Sequence, residues 1–227
     1  MVKLVACLKR KPGVSVEEFQ RHWRTQHAGI VVRQAGLRRY VQNHVLPASY
    51  ANGDPPFDGV AEAWFDDVDA MRRLAPSAEY RAVRDDEPSF LDVPGMRVLL
   101  TDERVVVDGT PPPDAVKGVF LLSRKPGMTP EAFQRHWRET HGPLAARLPG
   151  LLRYVHSPTR LGGYAAGRAP AFDGVALAWF DDAAAFAATG ATPEGARVRS
   201  DEASFLAAGP VPFVLTRAVE IPLGARA

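Results

Sequence analysis

Residues 11–24 read KPGVSVEEFQRHWR, and residues 125–138 read KPGMTPEAFQRHWR. Further matches follow each copy in the same order: RYV at 39–41 and 153–155, FDGV at 57–60 and 172–175, WFDD at 64–67 and 179–182, and Asp-Glu at 86–87 and 201–202. Solenoid repeats are about 20–50 residues long, which is shorter than this repeat. The sequence therefore predicts a whole domain that has been duplicated in tandem.

The boundaries of the two copies follow from these matches. We place repeat 1 at residues 1–107 and repeat 2 at residues 115–222, joined by a proline-rich linker at 108–114. Each copy is near the lower end of the usual size of a domain, where a fold buries a smaller share of its surface. We therefore expect the two copies to cover each other's apolar faces.

Composition and charge narrow the class of protein. The formal net charge is +2 over 227 residues, and the arginines alternate with acids, which argues against a nucleic-acid partner. Cys7 is the only cysteine, so an intrachain disulfide is excluded and a reducing compartment is favoured. The first residues follow a strand pattern, so we expect no signal peptide. No apolar run is long enough to span a bilayer. We expect a cytoplasmic protein with no membrane partner.

Each repeat has the pattern of strand, helix, strand, strand, helix, strand. In repeat 1 the first helix is predicted to begin after Ser15, because Ser15 and Glu18 form a capping box. In repeat 2, Thr129 takes the capping place and Pro130 the first helical position. The last strands are predicted over Arg97–Val107 and Pro212–Val219.

This order predicts an α+β fold of two ferredoxin-like (βαββαβ) repeats, each an antiparallel sheet with both helices on one face. The other sheet face of each repeat has no helix to cover it. We expect these two faces to pack together as a barrel within the chain, so that the protein is an intrachain pseudo-dimer. Further association into a homodimer is left open.

Four motifs in this order resemble the EthD family of the dimeric α/β-barrel superfamily. They are Phe-x-x-His-Trp-x-x-x-His from residue 19, Arg-Tyr-Val-x-Asn-His from residue 39, Asp-Gly-Val-Ala-Glu-x-Trp-Phe-Asp-Asp from residue 58, and Asp-Glu-x-x-Phe-Leu from residue 86. The resemblance implies the ferredoxin-like fold. For activity it implies a choice among polyketide cyclases, lactone isomerases, cofactor-free monooxygenases, haem enzymes and small stress proteins, which fold alone does not settle.

Five residues are candidates for proton transfer, and we list them as His27, Tyr40, His44, Glu62 and His141. His27 and His141 end the first helix of each repeat, where an imidazole suits general acid–base catalysis near neutral pH. A helix-terminal packing role is the alternative. Tyr40 and His44 share one face of a strand, and Glu62 shares a face with Trp64 on the next strand. These three form either a catalytic group or a buried hydrogen-bond network.

Aromatic residues and one histidine position are predicted to shape the substrate pocket. These are Phe19, His22, Trp23, Trp64, Phe133, Trp137, Tyr154 and Trp179. The acidic pairs that follow each third strand are predicted to cap helices. The Asp-Glu pairs at 86–87 and 201–202 are predicted to be solvated or paired with arginines.

The two copies differ at three candidate positions. Repeat 1 has Asn43-His44 and Glu62, whereas repeat 2 has Ser157-Pro158 and Leu177. Because repeat 2 lacks the ionisable groups of His44 and Glu62, the sequence favours repeat 1 as the more complete site.

The leading functional hypothesis is a cofactor-independent acid–base enzyme of the lyase or cyclase type. It would catalyse cyclisation, dehydration or decarboxylation of a small aromatic or polyketide-like carbonyl compound. The alternatives are a cofactor-free or haem-dependent monooxygenase and a non-catalytic small-molecule-binding or stress-associated protein. We expect no metal site, because His22 and His27 are five apart and no Cys-x-x-Cys pattern occurs. A haem would need an axial ligand from His27, His44 or His141.

Overall fold

A computed structural model describes residues 1–224 as two compact units. Unit 1 comprises residues 1–100 together with the segment from 218, and unit 2 comprises residues 101–217. Residues 101–107 thus group with repeat 2, while residues 218–222 group with repeat 1. The cause is local, because Arg104 pairs with His156 in unit 2 and the amide of Ile221 donates to the carbonyl of Tyr40 in unit 1.

Unit 1 follows the predicted order, with its second helix divided in two. Its elements are β1 (Val2–Leu8), α1 (Val16–His22), a π-helical turn (Trp23–His27), α2 (Ala28–Val31), β2 (Leu37–Val45), a 3₁₀ turn (Pro47–Tyr50), β3 (Gly59–Phe65), α3 (Val68–Leu74), α4 (Ala78–Phe90), a 3₁₀ turn (Val93–Gly95) and β4 (Arg97–Thr101). The strand order is β4-β1-β3-β2, and β3 pairs antiparallel with both β1 and β2. This is the ferredoxin-like order.

Unit 2 repeats this arrangement and adds one strand. Its elements are β5 (Arg104–Val107), β6 (Val116–Leu122), α5 (Pro130–His136), a π-helical turn (Trp137–His141), α6 (Gly142–Ala145), β7 (Arg153–Pro158), α7 (Leu161–Ala165), β8 (Gly174–Phe180), α8 (Ala183–Thr189), α9 (Pro193–Phe205) and β9 (Phe213–Glu220). The strand order is β9-β6-β8-β7-β5, with β5 added beside β7. None of the helices in residues 1–224 is long and apolar enough to cross a membrane.

Two of the predicted strands need correction. The strand predicted over Arg97–Val107 is wrong as a single element, because it breaks at Asp102 and Glu103 into β4 and β5. The amide of Asp102 donates to the carbonyl of Pro158 at 3.1 Å, so the chain leaves β4 and continues beside β7. At the other end of the chain, Pro212 precedes β9 and is not part of it.

The predicted helix caps are confirmed. The amide of Ser15 donates to Glu18 at 3.0 Å, and the amide of Glu18 donates to the Ser15 hydroxyl at 3.2 Å. The hydroxyl of Thr129 accepts from the amide of Ala132. Asp67 and Asp182 cap α3 and α8 in the same way, so these acids stabilise helix starts.

Alternation along β3 separates two sheet faces. Ala61, Ala63 and Phe65 join the core that the helices of unit 1 cover. Glu62 and Trp64 therefore point to the opposite face. Tyr40 stands opposite Ala63 in the β2–β3 register, whereas Val41 stands opposite Glu62. Tyr40 thus faces the helices and Glu62 does not.

The glycine of each Asp-Gly-Val motif makes room for a tryptophan ring. A Cβ atom at Gly59 would lie 2.5 Å from Cζ3 of Trp23, and one at Gly174 would lie 2.5 Å from Cζ3 of Trp137. Both tryptophans are almost completely buried between helix and sheet. The repeated glycine is therefore explained by packing of the helix against the strand.

Candidate functional site

Each repeat inserts a π-helical turn where its two histidines lie. In repeat 1 the amide of Ala28 reaches the carbonyl of Trp23, five residues earlier. In repeat 2 the amide of Gly142 reaches the carbonyl of Trp137 in the same way. Such a turn brings residues five apart toward the same side of the helix. Single π-helical turns of this kind are frequent at functional sites.

In repeat 1 this geometry lets His22 and His27 share one carboxylate. Nε2 of His22 lies 3.0 Å from Oδ1 of Asp86, and Nδ1 of His27 lies 2.8 Å from Oδ2. The ring of Phe90 packs against both imidazoles, with centroid distances of 4.5 and 5.0 Å. We call this arrangement the His–Asp–His clasp.

Repeat 2 contains the same clasp. Nε2 of His136 lies 2.9 Å from Oδ1 of Asp201, and Nδ1 of His141 lies 2.9 Å from Oδ2. Phe205 packs against the two imidazoles with centroid distances of 4.9 and 4.8 Å. The clasp accounts for the Asp and Phe of the Asp-Glu-x-x-Phe-Leu motif in both copies.

The clasp and burial together determine the protonation state of the second histidine of each pair, His27 in repeat 1 and His141 in repeat 2. Burial lowers the pKa of His27 and of His141, and the neighbouring carboxylate opposes that shift in each case. Both rings are therefore neutral at pH 7. Because Nδ1 faces a carboxylate, we assign the proton to Nδ1, which donates it. The remaining nitrogen, Nε2, is then a basic acceptor, as general base catalysis requires.

Repeat 2 has a cavity of about 480 Å³ that is open to solvent on one side and lined by its helices and its sheet. Much of the wall is apolar and includes Phe120, Leu148, Leu151, Ala178, Phe186 and Phe213. Its polar lining residues are His141, Tyr154, Thr189, Arg199 and Glu202. A mostly apolar cavity of this size with a few convergent polar groups is typical of a small-molecule site.

Glu202 is a second titratable group in the wall of this cavity. Burial raises its pKa, and the charge of Asp201 adds to that effect, whereas Arg199 opposes it. The pKa of His141 moves down while that of Glu202 moves up. Two groups whose pKa values shift in opposite directions are suited to act as base and acid in one site.

Tyr80 of repeat 1 and Gly195 of repeat 2 are equivalent positions with different surroundings. Tyr80 packs against the core of repeat 1, and Gly195 occupies the equivalent position in repeat 2. A Cβ atom at Gly195 would lie 2.0 Å from the carbonyl oxygen of Thr189, so the close approach of α8 and α9 requires this glycine. The cavity gives repeat 2 a second feature beside its clasp, and the predicted preference for repeat 1 stays a prediction.

Tyr40 and His44 belong to a buried network that also contains Gln42. The hydroxyl of Tyr40 accepts from Nε1 of Trp23 and from Nε2 of Gln42, both at 3.1 Å. Nε2 of Gln42 also donates to the carbonyl of Trp23, and Nε2 of His44 donates to Oε1 of Gln42 at 3.0 Å. Burial raises the pKa of Tyr40 to about 12 and lowers that of His44 to about 4. The network thus supports the π-helical turn.

Glu62 does not join that network, which corrects the predicted grouping of Tyr40, His44 and Glu62. On the opposite sheet face its carboxylate lies 2.5 Å from Nζ of Lys3 and accepts from Nδ2 of Asn43 at 2.9 Å. The reason is register, since the partner of Glu62 is Val41 and not Tyr40.

Trp64 and Trp179 also lie on the face away from the helices. Nζ of Lys3 lies 4.8 Å from the ring centroid of Trp64, and Nζ of Lys117 lies 4.5 Å from that of Trp179. Neither tryptophan is among the residues that line the repeat 2 cavity. Cation–π contacts account for both positions.

The other predicted pocket residues divide between core and cavity. Phe19, Trp23, Phe133 and Trp137 are almost completely buried in the core clusters of their repeats. Tyr154 lines the cavity, and burial raises its pKa. His22 belongs to the clasp of repeat 1. Of the predicted site residues, the cavity of repeat 2 therefore brings together His141 and Tyr154.

The sequence prediction missed Asp86, Asp201 and Glu202, which it assigned to solvent or to arginines. A usable signal was present, because Asp86 and Phe90 are four residues apart and so share a face of α4. The exact repetition of this spacing at Asp201 and Phe205 pointed the same way.

His156 was also missed, and it takes the place of Gln42 in repeat 2. Its ring stacks on Trp137 with centroids 4.1 Å apart, and its Nε2 has no hydrogen-bond partner within residues 1–224. Burial lowers its pKa to about 3 from 6.5, with smaller contributions from His141 and Arg104. The unfolded chain therefore binds a proton between these values that the folded chain does not, so stability falls as the pH falls through this window.

Replacing His156 by glutamine copies Gln42 of repeat 1 and removes this acid sensitivity. We expect little change in the free energy of unfolding at pH 7 and, at pH 4, a gain of about 3 kcal/mol over wild type. Urea denaturation at the two pH values measures both. If the difference between variant and wild type is the same at pH 7 and pH 4, His156 is not held neutral by burial.

The fold and the duplicated clasp define a protein of two tandem ferredoxin-like repeats. A family model described as the EthD domain matches residues 11–94 and again residues 125–209. The chain therefore belongs to the EthD family as a tandem duplication. The predicted α+β class with two ferredoxin-like repeats is confirmed.

Several solved structures share this fold along almost the whole chain. An anthrone oxidase-like protein covers 99% of this chain and 93% of its own, with a TM-score of 0.69 and 12% identity. A putative monooxygenase from Lactobacillus acidophilus NCFM covers 99% and 97%, with a TM-score of 0.58 and 10% identity. A putative chlorite dismutase covers 96% and 94%, with a TM-score of 0.57 and 14% identity. No curated protein matches this chain.

Proposed function

We propose that repeat 2 is an acid–base enzyme site for a small, largely apolar aromatic or polyketide-like carbonyl compound. His141 is the general base through Nε2, Asp201 is its positioning residue, and Glu202 is the proton donor. The observation that carries the proposal is the cavity itself, because it is lined by a neutral histidine held by a carboxylate and by an acid whose pKa is raised.

The chemistry that these groups support is removal of a proton from a carbon next to a carbonyl. Nε2 of His141 takes the proton, while the proton of Glu202 stabilises the oxygen on which charge develops. The resulting enol can then cyclise or expel a β-hydroxyl group as water. Decarboxylation of a β-keto acid instead gives the enol directly, since the carbonyl accepts the electron pair released with carbon dioxide and Glu202 protonates its oxygen. Both proton-transfer groups come from the protein chain, so the step itself requires no cofactor.

Repeat 1 has the same clasp, but two of the residues beside it differ from repeat 2 in identity or pairing. Arg84 forms an ion pair with Glu87, the residue equivalent to Glu202. Tyr80 packs where repeat 2 has a glycine. We therefore assign the clasp of repeat 1 chiefly to the stability of its fold.

A second candidate function is monooxygenation of the same deprotonated carbon. The structural neighbours described as an anthrone oxidase-like protein and a putative monooxygenase favour it. A methylene carbon activated by His141 would react with dioxygen, giving a carbonyl and one molecule of water for each dioxygen consumed. Oxygen uptake that depends on substrate separates this function from cyclisation, dehydration and decarboxylation, which consume none.

A haem-dependent form of this oxidation needs an axial imidazole in the cavity. His141 fits this requirement, because its Nδ1 is hydrogen-bonded to Asp201. Metal-binding histidines are commonly oriented by a carboxylate that accepts a hydrogen bond from the ring nitrogen that does not bind the metal. A bound haem would supply the electron transfer to oxygen. Titration with haemin, followed by the Soret band in wild type and His141→Gln, tests this form.

The direct test of the proposed function is exchange of acidic substrate protons with solvent. We would incubate the protein in D₂O with anthrone and with aromatic 1,3-dicarbonyl compounds and follow deuterium incorporation by NMR. At least one compound is expected to exchange faster than in buffer, with loss of that acceleration when Ala178→Phe fills the cavity. Exchange at the buffer rate for all compounds would falsify the proposal.

A further inference from the structure

Arg199 places a positive charge at the mouth of the repeat 2 cavity. The residue is exposed and also lines the cavity. Its Nη1 lies 3.8 Å from the position that a Cβ atom at Gly190 would take, and Gly190 lines the same opening. The guanidinium therefore lies beside Gly190 at the edge of the cavity.

The equivalent arginine of repeat 1 is used differently. Arg84 forms an ion pair with Glu87 within the same helix. Across residues 1–224, Arg199 makes no such pair with Glu202 or with any other carboxylate. One turn earlier on the same helix face, repeat 1 has Tyr80 and repeat 2 has Gly195, which lines the cavity together with Arg199.

The apolar part of the same wall is aromatic. Phe120, Phe186 and Phe213 form a cluster with ring centroids 5.4 to 6.0 Å apart. Phe213 is 42% exposed, so an aromatic face is available to a ligand at the opening. Glu202 lines the same cavity, and burial raises the pKa of its carboxyl group.

We infer that the repeat 2 cavity selects aromatic compounds that carry an anionic group, with the rings on the phenylalanine cluster and the anion on Arg199. This inference rests on the proposed function and names its substrate class, an aromatic carboxylate or comparable anion. Guanidinium groups bind carboxylates through paired, charge-assisted hydrogen bonds, which explains the choice of arginine. Arg199 is then the residue that determines charge specificity.

Two fluorescent probes with the same aromatic body test the inference. The anionic probe is 1-anilinonaphthalene-8-sulfonate, and the neutral probe is N-phenyl-1-naphthylamine. We expect Arg199→Ala to weaken binding of the anionic probe about tenfold, as loss of a hydrogen bond to a charged group predicts, and to change binding of the neutral probe less than twofold.

A matched control removes the same charge elsewhere on the same helix. Arg197 is exposed, is paired loosely with Glu194 at 3.8 Å, and does not line the cavity. Arg197→Ala is therefore expected to leave both affinities unchanged. An equal loss of anionic binding in Arg197→Ala and Arg199→Ala would show a diffuse charge effect and would overturn the inference.

Filling the cavity separates failure of this inference from failure of the proposed function. Ala178→Phe, or Ala176→Leu if the first variant loses its circular dichroism spectrum, is expected to abolish binding of both probes. If filling abolishes binding while Arg199→Ala leaves the ratio of the two affinities unchanged, only the inferred charge preference is wrong. If both probes still bind the filled variants, the cavity is not the binding site and the proposed function loses its basis.

Discussion

Replacing His141 by glutamine is expected to lower kcat/KM by about 10²–10⁴-fold, which is the usual contribution of a general base. Glutamine keeps a polar group of similar length but has no nitrogen that accepts a proton at neutral pH. The measurement is the rate of deuterium exchange or turnover with the substrate identified by the D₂O test. Thermal unfolding of the variant controls for loss of structure.

The duplicated clasp supplies a matched control for this prediction. His27 is held by Asp86 as His141 is held by Asp201, so His27→Gln makes the same chemical change in repeat 1. We expect it to reduce kcat/KM far less, because the proposed site is in repeat 2. Equal losses in the two variants would mean that both repeats work, and equal activity in both would remove His141 from the mechanism.

The role of Asp201 is tested by the pH profile and not by rate alone. Asp201 raises the pKa of His141, although burial lowers it by more. Asp201→Asn is therefore expected to move the acidic limb of the kcat/KM profile to lower pH as well as to reduce its plateau. A lower plateau with an unmoved limb would indicate that Asp201 only stabilises the fold.

The sequence predicted the fold well because its signals are local and occur twice. The capping box at Ser15 and the acids that cap α3 and α8 mark helix starts whose physical cause lies within four residues. The strands are indicated by alternating apolar and polar residues between turn residues. These local signals, read in order, define the ferredoxin-like topology without any knowledge of distant contacts.

The site was predicted less well because it depends on three properties that distant residues decide. These are the register of paired strands, the direction of side chains around a helix that contains a π-helical turn, and the volume left between elements. Whether Glu62 meets Tyr40 or Val41 is decided by the pairing of β2 with β3, and one residue of register reverses the face. The π-helical turn shifts His27 relative to an α-helix, which brings it to Asp86. The cavity is lined by residues of β6, α6, β8, α8 and α9, and the volume left between distant elements cannot be deduced from the sequence pattern.

Removal of the Trp137 side chain is expected to be the most destabilising single change in repeat 2. Its indole is almost completely buried between α5, the π-helical turn and β8, and it stacks on His156. Trp137→Ala should lower the free energy of unfolding by about 3–5 kcal/mol through lost burial and the cavity that remains. Urea denaturation followed by far-UV circular dichroism measures this without relying on tryptophan fluorescence.

The close approach of Gly174 to Trp137 makes a second, independent test of the same packing. In wild type, Gly174→Ala places a methyl group 2.5 Å from Cζ3 of the indole, which should destabilise the fold by about 1–3 kcal/mol. In the Trp137→Ala background the same change meets empty space, so its effect should nearly vanish. Additive losses in the double variant would show that the two positions do not touch, because only residues in contact couple at this level.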